Sequence, residues 1–154
     1  MPARQPTTRA AAAAKRISKT SAERTASAQN NLTILVVDDV SDTRRLYAGY
    51  FAHVGARVLV ASNGAEALEL IEDVPPDAVL LDLSMPQMTG WEVLAKLRSG
   101  RSTQALPIVV ITGYVAPGVQ EAALNAGADL YLTKPCLPHV AFDFILKLVR
   151  PKSC

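Results

Sequence analysis

Five residues of this chain are of types that could do chemistry together: Asp38, Asp39, Asp82, Thr112 and Lys134. Each stands at the end of a short apolar run. Asp38-Asp39 close "LTILVV", Asp82 sits in "VLLDLSMPQMTGWEVL", Thr112 ends "LPIVVIT" and Lys134 follows "DLYLT". Three carboxylates drawn together repel one another, and the cluster costs free energy until protons or a cation neutralise it. Few ligands, all of them oxygen, suit a hard cation that keeps some of its water, which describes Mg²⁺ better than zinc or copper. A carboxylate is also a nucleophile toward phosphorus, giving an aspartyl phosphate. Phosphoryl transfer then asks chiefly for positioning and for neutralisation of the equatorial oxygens. Asp39 and Asp82 for a metal, Lys134 as a compact cation and Thr112 as a hydroxyl donor make a complete set.

These residues meet only if the chain brings several strand ends to one place. From Leu32 onward it alternates. Apolar, β-branched runs at 32–38, 56–61, 77–83, 106–112 and 129–133 are too short for helices and read as strands buried in a sheet. Between and after them, 41–55, 63–73, 89–100, 117–128 and 137–150 read as helices. Ser41-Asp42 offer capping chemistry for the first helix and Gly55 ends it. Asn63 with Glu66, and Thr89 with Glu92, form capping pairs. Five rounds of strand then helix imply an α/β fold: a doubly wound, five-stranded parallel sheet with helices on both faces. Ligands of such sheets bind beyond the carboxyl ends of the strands, where strand order reverses. With order 2-1-3-4-5 that point lies between strands one and three, where the acids are.

The 154 residues are enough for one ordinary domain, and 49 % hydrophobic content can supply its core. No apolar run approaches the roughly 18 residues of a membrane span. Cys136 and Cys154 make neither a disulfide framework nor a paired zinc motif, so reduced thiols in a cytoplasm are expected. Residues 1–31 carry six basic residues against Glu23, a net of +5, leaving −3 for the rest of a chain whose total is +2. This arm, rich in Ala, Ser, Thr and Arg, lacks the apolar core of a secretory signal and is expected to be a disordered, solvated tail. Its composition also matches an organellar transit peptide, or a weak contact to nucleic acid or a membrane surface. The body spans 32–150, with a short tail at 151–154.

Taken in order and spacing, "VVDD", "LLDLSMPQMTGWEVL", "PIVVITG" and "GADLYLTKP" closely resemble the receiver domains of two-component response regulators, of the chemotaxis-regulator type. The resemblance covers about residues 32–150. It implies that Asp82 is the phosphoacceptor. Asp39 would bind Mg²⁺ directly, Asp38 through water, and the Ser84 backbone carbonyl would add a ligand. Lys134 would pair with the phosphoryl group, with the Lys134-Pro135 peptide cis, and Gly113 would be the small residue beside that group. Thr112 and Tyr131 would be a switch pair. On phosphorylation Thr112 moves to the phosphoryl oxygen and the Tyr131 ring swings inward, remodelling the face of helix four, strand five and helix five. Thr89 stands where the family most often has Asp, and Tyr114 and Ser84 flank the mouth of the site. Tyr114 is expected to shield the acyl phosphate and lengthen its lifetime.

The blander readings are specific. Alone, Asp38-Asp39 would be an acidic strand end capping a helix, Lys134 a solvated loop residue and Thr112 a hydroxyl bonding the backbone. Tyr131 would be a half-buried ring on an edge strand. His53 and His139 read as surface residues and Trp91 as packing. The function expected is a stand-alone receiver, not an enzyme with a separate substrate. It would take its phosphoryl group from a sensor histidine kinase or a histidine phosphotransfer protein and dock a downstream partner. A haloacid-dehalogenase-type phosphatase would need Asp-x-Asp, where Asp82 is followed by Leu83-Ser84. A flavin carrier would need a Ser/Thr/Gly-rich phosphate loop where this chain has Asp38-Asp39. DNA binding through the basic arm would show a steep salt dependence.

Overall fold

Five runs of Val, Ile and Leu form the strands β1 (Thr33–Val37), β2 (Arg57–Ala61), β3 (Ala78–Leu81), β4 (Ile108–Thr112) and β5 (Leu130–Thr133). Between and after them come α1 (Ser41–His53), α2 (Gly64–Asp73), α3 (Gly90–Ser99), α4 (Val119–Asn125) and α5 (Pro138–Val149). The computed structural model describes residues 31–149. The basic arm up to residue 30, the tail and Cys154 lie outside the described residues, and with them the expectations made for those segments.

All strand pairs are parallel and the order is β2-β1-β3-β4-β5, so the chain reverses direction across the sheet between β1 and β3. Burial follows that order. The central strands β1, β3 and β4 are buried almost throughout, whereas the edge strands β2 and β5 are only partly covered. Side chains alternate between two cores, as the pleat requires. Leu35, Val37, Val79, Leu81, Ile108 and Val110 face Ala67 and Ile71 of α2, Val93, Leu94 and Leu97 of α3 and Ala123 of α4. Ile34, Val36, Ala78, Leu80, Val109 and Ile111 face Tyr47 and Phe51 of α1 and Ala141, Phe142 and Ile145 of α5. A rigid two-sided core therefore holds the strand ends in register.

Helix starts follow the capping chemistry at two of the three places where it was expected. The Asn63 side chain accepts from Glu66 N at 2.8 Å, and Thr89 Oγ1 accepts from Glu92 N at 3.3 Å. At α1 the expectation fails: Val40 is the N-cap and no side chain caps it. The reason lies one step upstream. Asp38 Oδ1 accepts from Val40 N at 2.9 Å, and Arg44 in the first turn donates to the Asp38 carbonyl at 2.7 Å. The buried acid organises the helix entry from outside the helix.

Candidate functional site

Backbone pairing carries the acids to one point. Asp82 N donates to Val37 O at 3.0 Å and Asp38 N to Ala61 O at 3.2 Å, so each acid emerges as its strand leaves the ladder. Both are buried, Asp38 to 2 % exposure and Asp82 to 4 %. Asp39 is exposed. Carboxylate oxygens of Asp38, Asp39 and Asp82 all lie within 4.8 Å of one another. This is an all-oxygen donor set at the distance scale of a single small ion, and it fits the chemistry of Mg²⁺.

Lys134 enters from β5. Its N–H donates to Thr112 O at 2.9 Å, which fixes the residue beside the end of β4. Its ammonium reaches Asp38 Oδ2 at 2.7 Å and Asp82 Oδ2 at 3.2 Å. The peptide that follows, Lys134-Pro135, is cis. Asp82 Oδ1 accepts from Ser84 N at 3.0 Å, so both carboxylate oxygens are held and the group has a fixed aim. Ser84 itself is exposed at the rim.

Electrostatics follow from burial. Asp82 has its carboxyl raised above the usual range, first by loss of water and then by the Asp38 charge. The Ser84 N–H and Lys134 pull the other way without prevailing. For Lys134 burial works against the charged form, but the hydrogen bond to Asp38 and the two carboxylate charges outweigh it, and its pKa is raised. A buried acid whose ionised form is under-compensated is one that a cation or an added electrophile would stabilise.

On the β4 side Thr112 is buried, and Oγ1 accepts from Tyr114 N at 3.2 Å. The Tyr114 carbonyl accepts from Tyr131 Oη at 3.2 Å. Thr112 and Tyr131 are thus linked through the main chain of Tyr114, a residue 58 % exposed. The ring of Tyr131 is half-buried against the core formed with α2, α3 and α4. Gly113 is exposed next to Lys134, where an added Cβ would stand 4.0 Å from the lysine stem. His53 and His139 are exposed, and Trp91 packs on the α2–α3–α4 core.

Two contributors escape sequence reading. Gly90 opens α3 directly on the backbone of the acid: a Cβ there would lie 2.2 Å from Asp82 O and 2.6 Å from Leu83 Cα. The "TG" preceding an apolar run marks a helix start and nothing in it announces that contact. Tyr47, on α1, donates from its hydroxyl to Cys136 O just past Lys134-Pro135. A tyrosine at a core-facing helical position gives no signal that its hydroxyl matters.

Similarity to known proteins agrees with this arrangement. The family model described as the response regulator receiver domain matches residues 34–150. The response regulator MprA of Mycobacterium sp. (strain KMS) is 44 % identical over 102 residues, 66 % of this chain and 44 % of that protein. An uncharacterized 14.6 kDa protein of Leptolyngbya boryana is 40 % identical over 107 residues, 70 % of this chain and 82 % of its own. Among solved structures, the Vibrio cholerae chemotaxis protein CheY4 superposes with a TM-score of 0.72 at 26 % identity, covering 76 % of this chain and 98 % of that one. The chain thus spans under half of the mycobacterial regulator and nearly all of the chemotaxis protein.

Proposed function

Because this chain belongs to the response regulator receiver domain family, we propose that it accepts a phosphoryl group on Asp82 in a Mg²⁺-dependent reaction and thereby switches a partner-binding face. The observation that carries the proposal is the buried Asp82 carboxylate, held by Ser84 N and Lys134 Nζ beside Asp38 and Asp39. In the step proposed, an Asp82 oxygen forms a bond to phosphorus while the bond from phosphorus to the donor's imidazole nitrogen breaks. The nitrogen keeps that electron pair. The donor class is a phosphohistidine of a sensor kinase or of a phosphotransfer protein.

Asp39, Asp82 and the Ser84 carbonyl would hold Mg²⁺, with Asp38 reaching it through water. The ion supplies charge neutralisation of the transferring oxygens. Lys134 would supply the same, already standing at 3.2 Å from Asp82 Oδ2. Thr112 accepts from Tyr114 N and keeps its own hydroxyl proton for a phosphoryl oxygen. If Thr112 turns toward that oxygen, the Tyr114 main chain loses a partner, and with it the Tyr131 hydroxyl loses its fixed acceptor. That chain of bonds supports Thr112 and Tyr131 as the switch pair acting on the α4–β5–α5 face. Gly113 leaves open space beside Lys134 for the incoming group.

On this reading the protein is no enzyme with a separate substrate; it promotes phosphorylation and hydrolysis at its own aspartate. A cytoplasmic setting belongs to the same reading, with Cys136 a free thiol. No helix among the described residues is long and apolar enough to cross a membrane. The test is incubation with acetyl phosphate and Mg²⁺, resolved on a phosphate-affinity gel. The parent is expected to shift and Asp82→Asn not to; a shift in both, or in neither, overturns the assignment.

A further inference from the structure

Between Lys134 and the start of α5 the chain is thinly held. Lys134 N bonds Thr112 O, and the next main-chain bonds are those of Val140 and Ala141 to Leu137 O. Cys136 packs against the α1–α5 core, and for residues 135–137 the bond from Tyr47 Oη to Cys136 O is the one hydrogen bond, among the described residues, to an element other than α5. Tyr47 is well placed to be a fixed post. It is 3 % exposed and lies in the α1–α5 core, its ring 6.2 Å from that of Phe51 and tilted by 50°. Its neighbourhood also contains the site itself, since the charges of Lys134 and Asp38 both act on the phenol. A leucine or phenylalanine would fill this apolar place on α1 without a buried hydroxyl needing a partner.

We infer that Tyr47 is a positioning residue for phosphoryl transfer: its hydroxyl pins the Cys136 carbonyl to α1 and so holds the Lys134 ammonium on the Asp38 and Asp82 carboxylates. This rests on the proposed role of Asp82 and adds to it. Lys134 has a long flexible stem, and its ammonium meets two acids on β1 and β3 from a base on β5. Whether that charge stands where the phosphoryl oxygens arrive depends on the backbone just beyond it. Misplacement of a catalytic charge by a fraction of an ångström is enough to slow a transfer. Removing the hydroxyl frees the loop without removing any group that would touch the phosphoryl donor.

The experiment compares Tyr47→Phe, which keeps the ring, with Phe51→Leu, a packing change one turn further along the same helix. The Lys134 Cε signal is followed by carbon-13 NMR in the unphosphorylated protein, and the rate of phosphorylation by acetyl phosphate at saturating Mg²⁺ is measured alongside. Tyr47→Phe is expected to shift or broaden the Lys134 signal and to slow phosphorylation about threefold to tenfold. Phe51→Leu is expected to lower the melting temperature and leave the Lys134 signal in place. An unmoved signal in Tyr47→Phe, an unchanged rate, or the same displacement in Phe51→Leu overturns the inference. If the parent itself takes up no phosphoryl group, the reading of Asp82 fails, and the Lys134 signal alone decides whether Tyr47 holds the lysine.

Discussion

The two sides of the site are built on opposite terms. Where β1 and β3 end, Asp38 and Asp82 are buried, all four of their carboxylate oxygens are held at 2.7–3.2 Å, and Lys134 closes the group. Where β4 ends, the chain runs outward: Gly113, Tyr114 and Val115 are exposed, Val115 to 69 %. The helix that follows, α4, has seven residues and a Gly118 N-cap at φ +83° with no side-chain cap. Its far end is fastened instead, by Arg98, which donates to Gly127 O at 2.7 Å and to Leu106 O at 2.8 Å and pairs with Asp129 at 3.1 Å. A phosphoryl acceptor needs a fixed aim, and a switch needs a segment whose bonds are few and exposed enough to exchange. On the proposed reading the first lies at the ends of β1 and β3, and the second in the exposed segment that follows β4.

The sharpest way to break this contrast is Lys134→Met. It leaves two buried carboxylates without their cation, and we expect phosphorylation to fall by about two orders of magnitude. Stability should drop by about 2 kcal/mol at neutral pH, reduced from the value for a fully buried pair because the lysine side chain is 22 % exposed. Urea titration checks it; a loss much under 1 kcal/mol would mean that the acidic side is not held by charge pairing.

Next comes pH. The folded state binds the Asp82 proton more tightly than the unfolded chain does. Its contribution is therefore present below the ordinary carboxyl range and is lost as pH rises through the raised value. In metal-free protein, Asp82→Asn should then melt higher than the parent at pH 7. The gain should vanish near pH 3, and calorimetry across that range reads it directly.

On the open side effects should be smaller and of another kind. Thr112→Ala is expected to cost about 1 kcal/mol and to keep phosphorylation at Asp82 within about tenfold of the parent. It should abolish the phosphorylation-dependent change in hydrogen exchange over residues 113–125. An undiminished change would remove Thr112 from the switch. Smallest is Tyr131→Phe, which loses one exposed hydrogen bond and should alter stability by less than about 0.5 kcal/mol. Its effect should appear in partner binding alone.

Much of this was legible from residues in a row. The helix and strand runs are told apart by period and length, and the capping pairs at Asn63 and Thr89 stand as their spacing suggests. The site acids and Lys134 could be named because each interrupts or ends an apolar run that has no local use for a charge. Where reading failed, the cause was a bond that the pattern of residue types did not announce, local in one case and long-range in the other. Ser41-Asp42 looked like a cap, but Asp38 and Arg44 had already satisfied the entry to α1. Tyr47 looked like core, and its hydroxyl meets a carbonyl 89 residues away.

The sequence by itself determined the alternation of elements, the two-faced burial of the central strands and the kinds of groups at their ends, because these depend on neighbours within a few residues. Only the tertiary structure decided how those ends meet. It set which carboxylate oxygen faces Lys134, that Gly90 must lie against the Asp82 carbonyl, and that Thr112 and Tyr131 are joined through the Tyr114 backbone. Such contacts depend on sub-ångström packing between strands and helices far apart in the chain. No local pattern encodes those distances; the five-stranded sheet with its two cores imposes them.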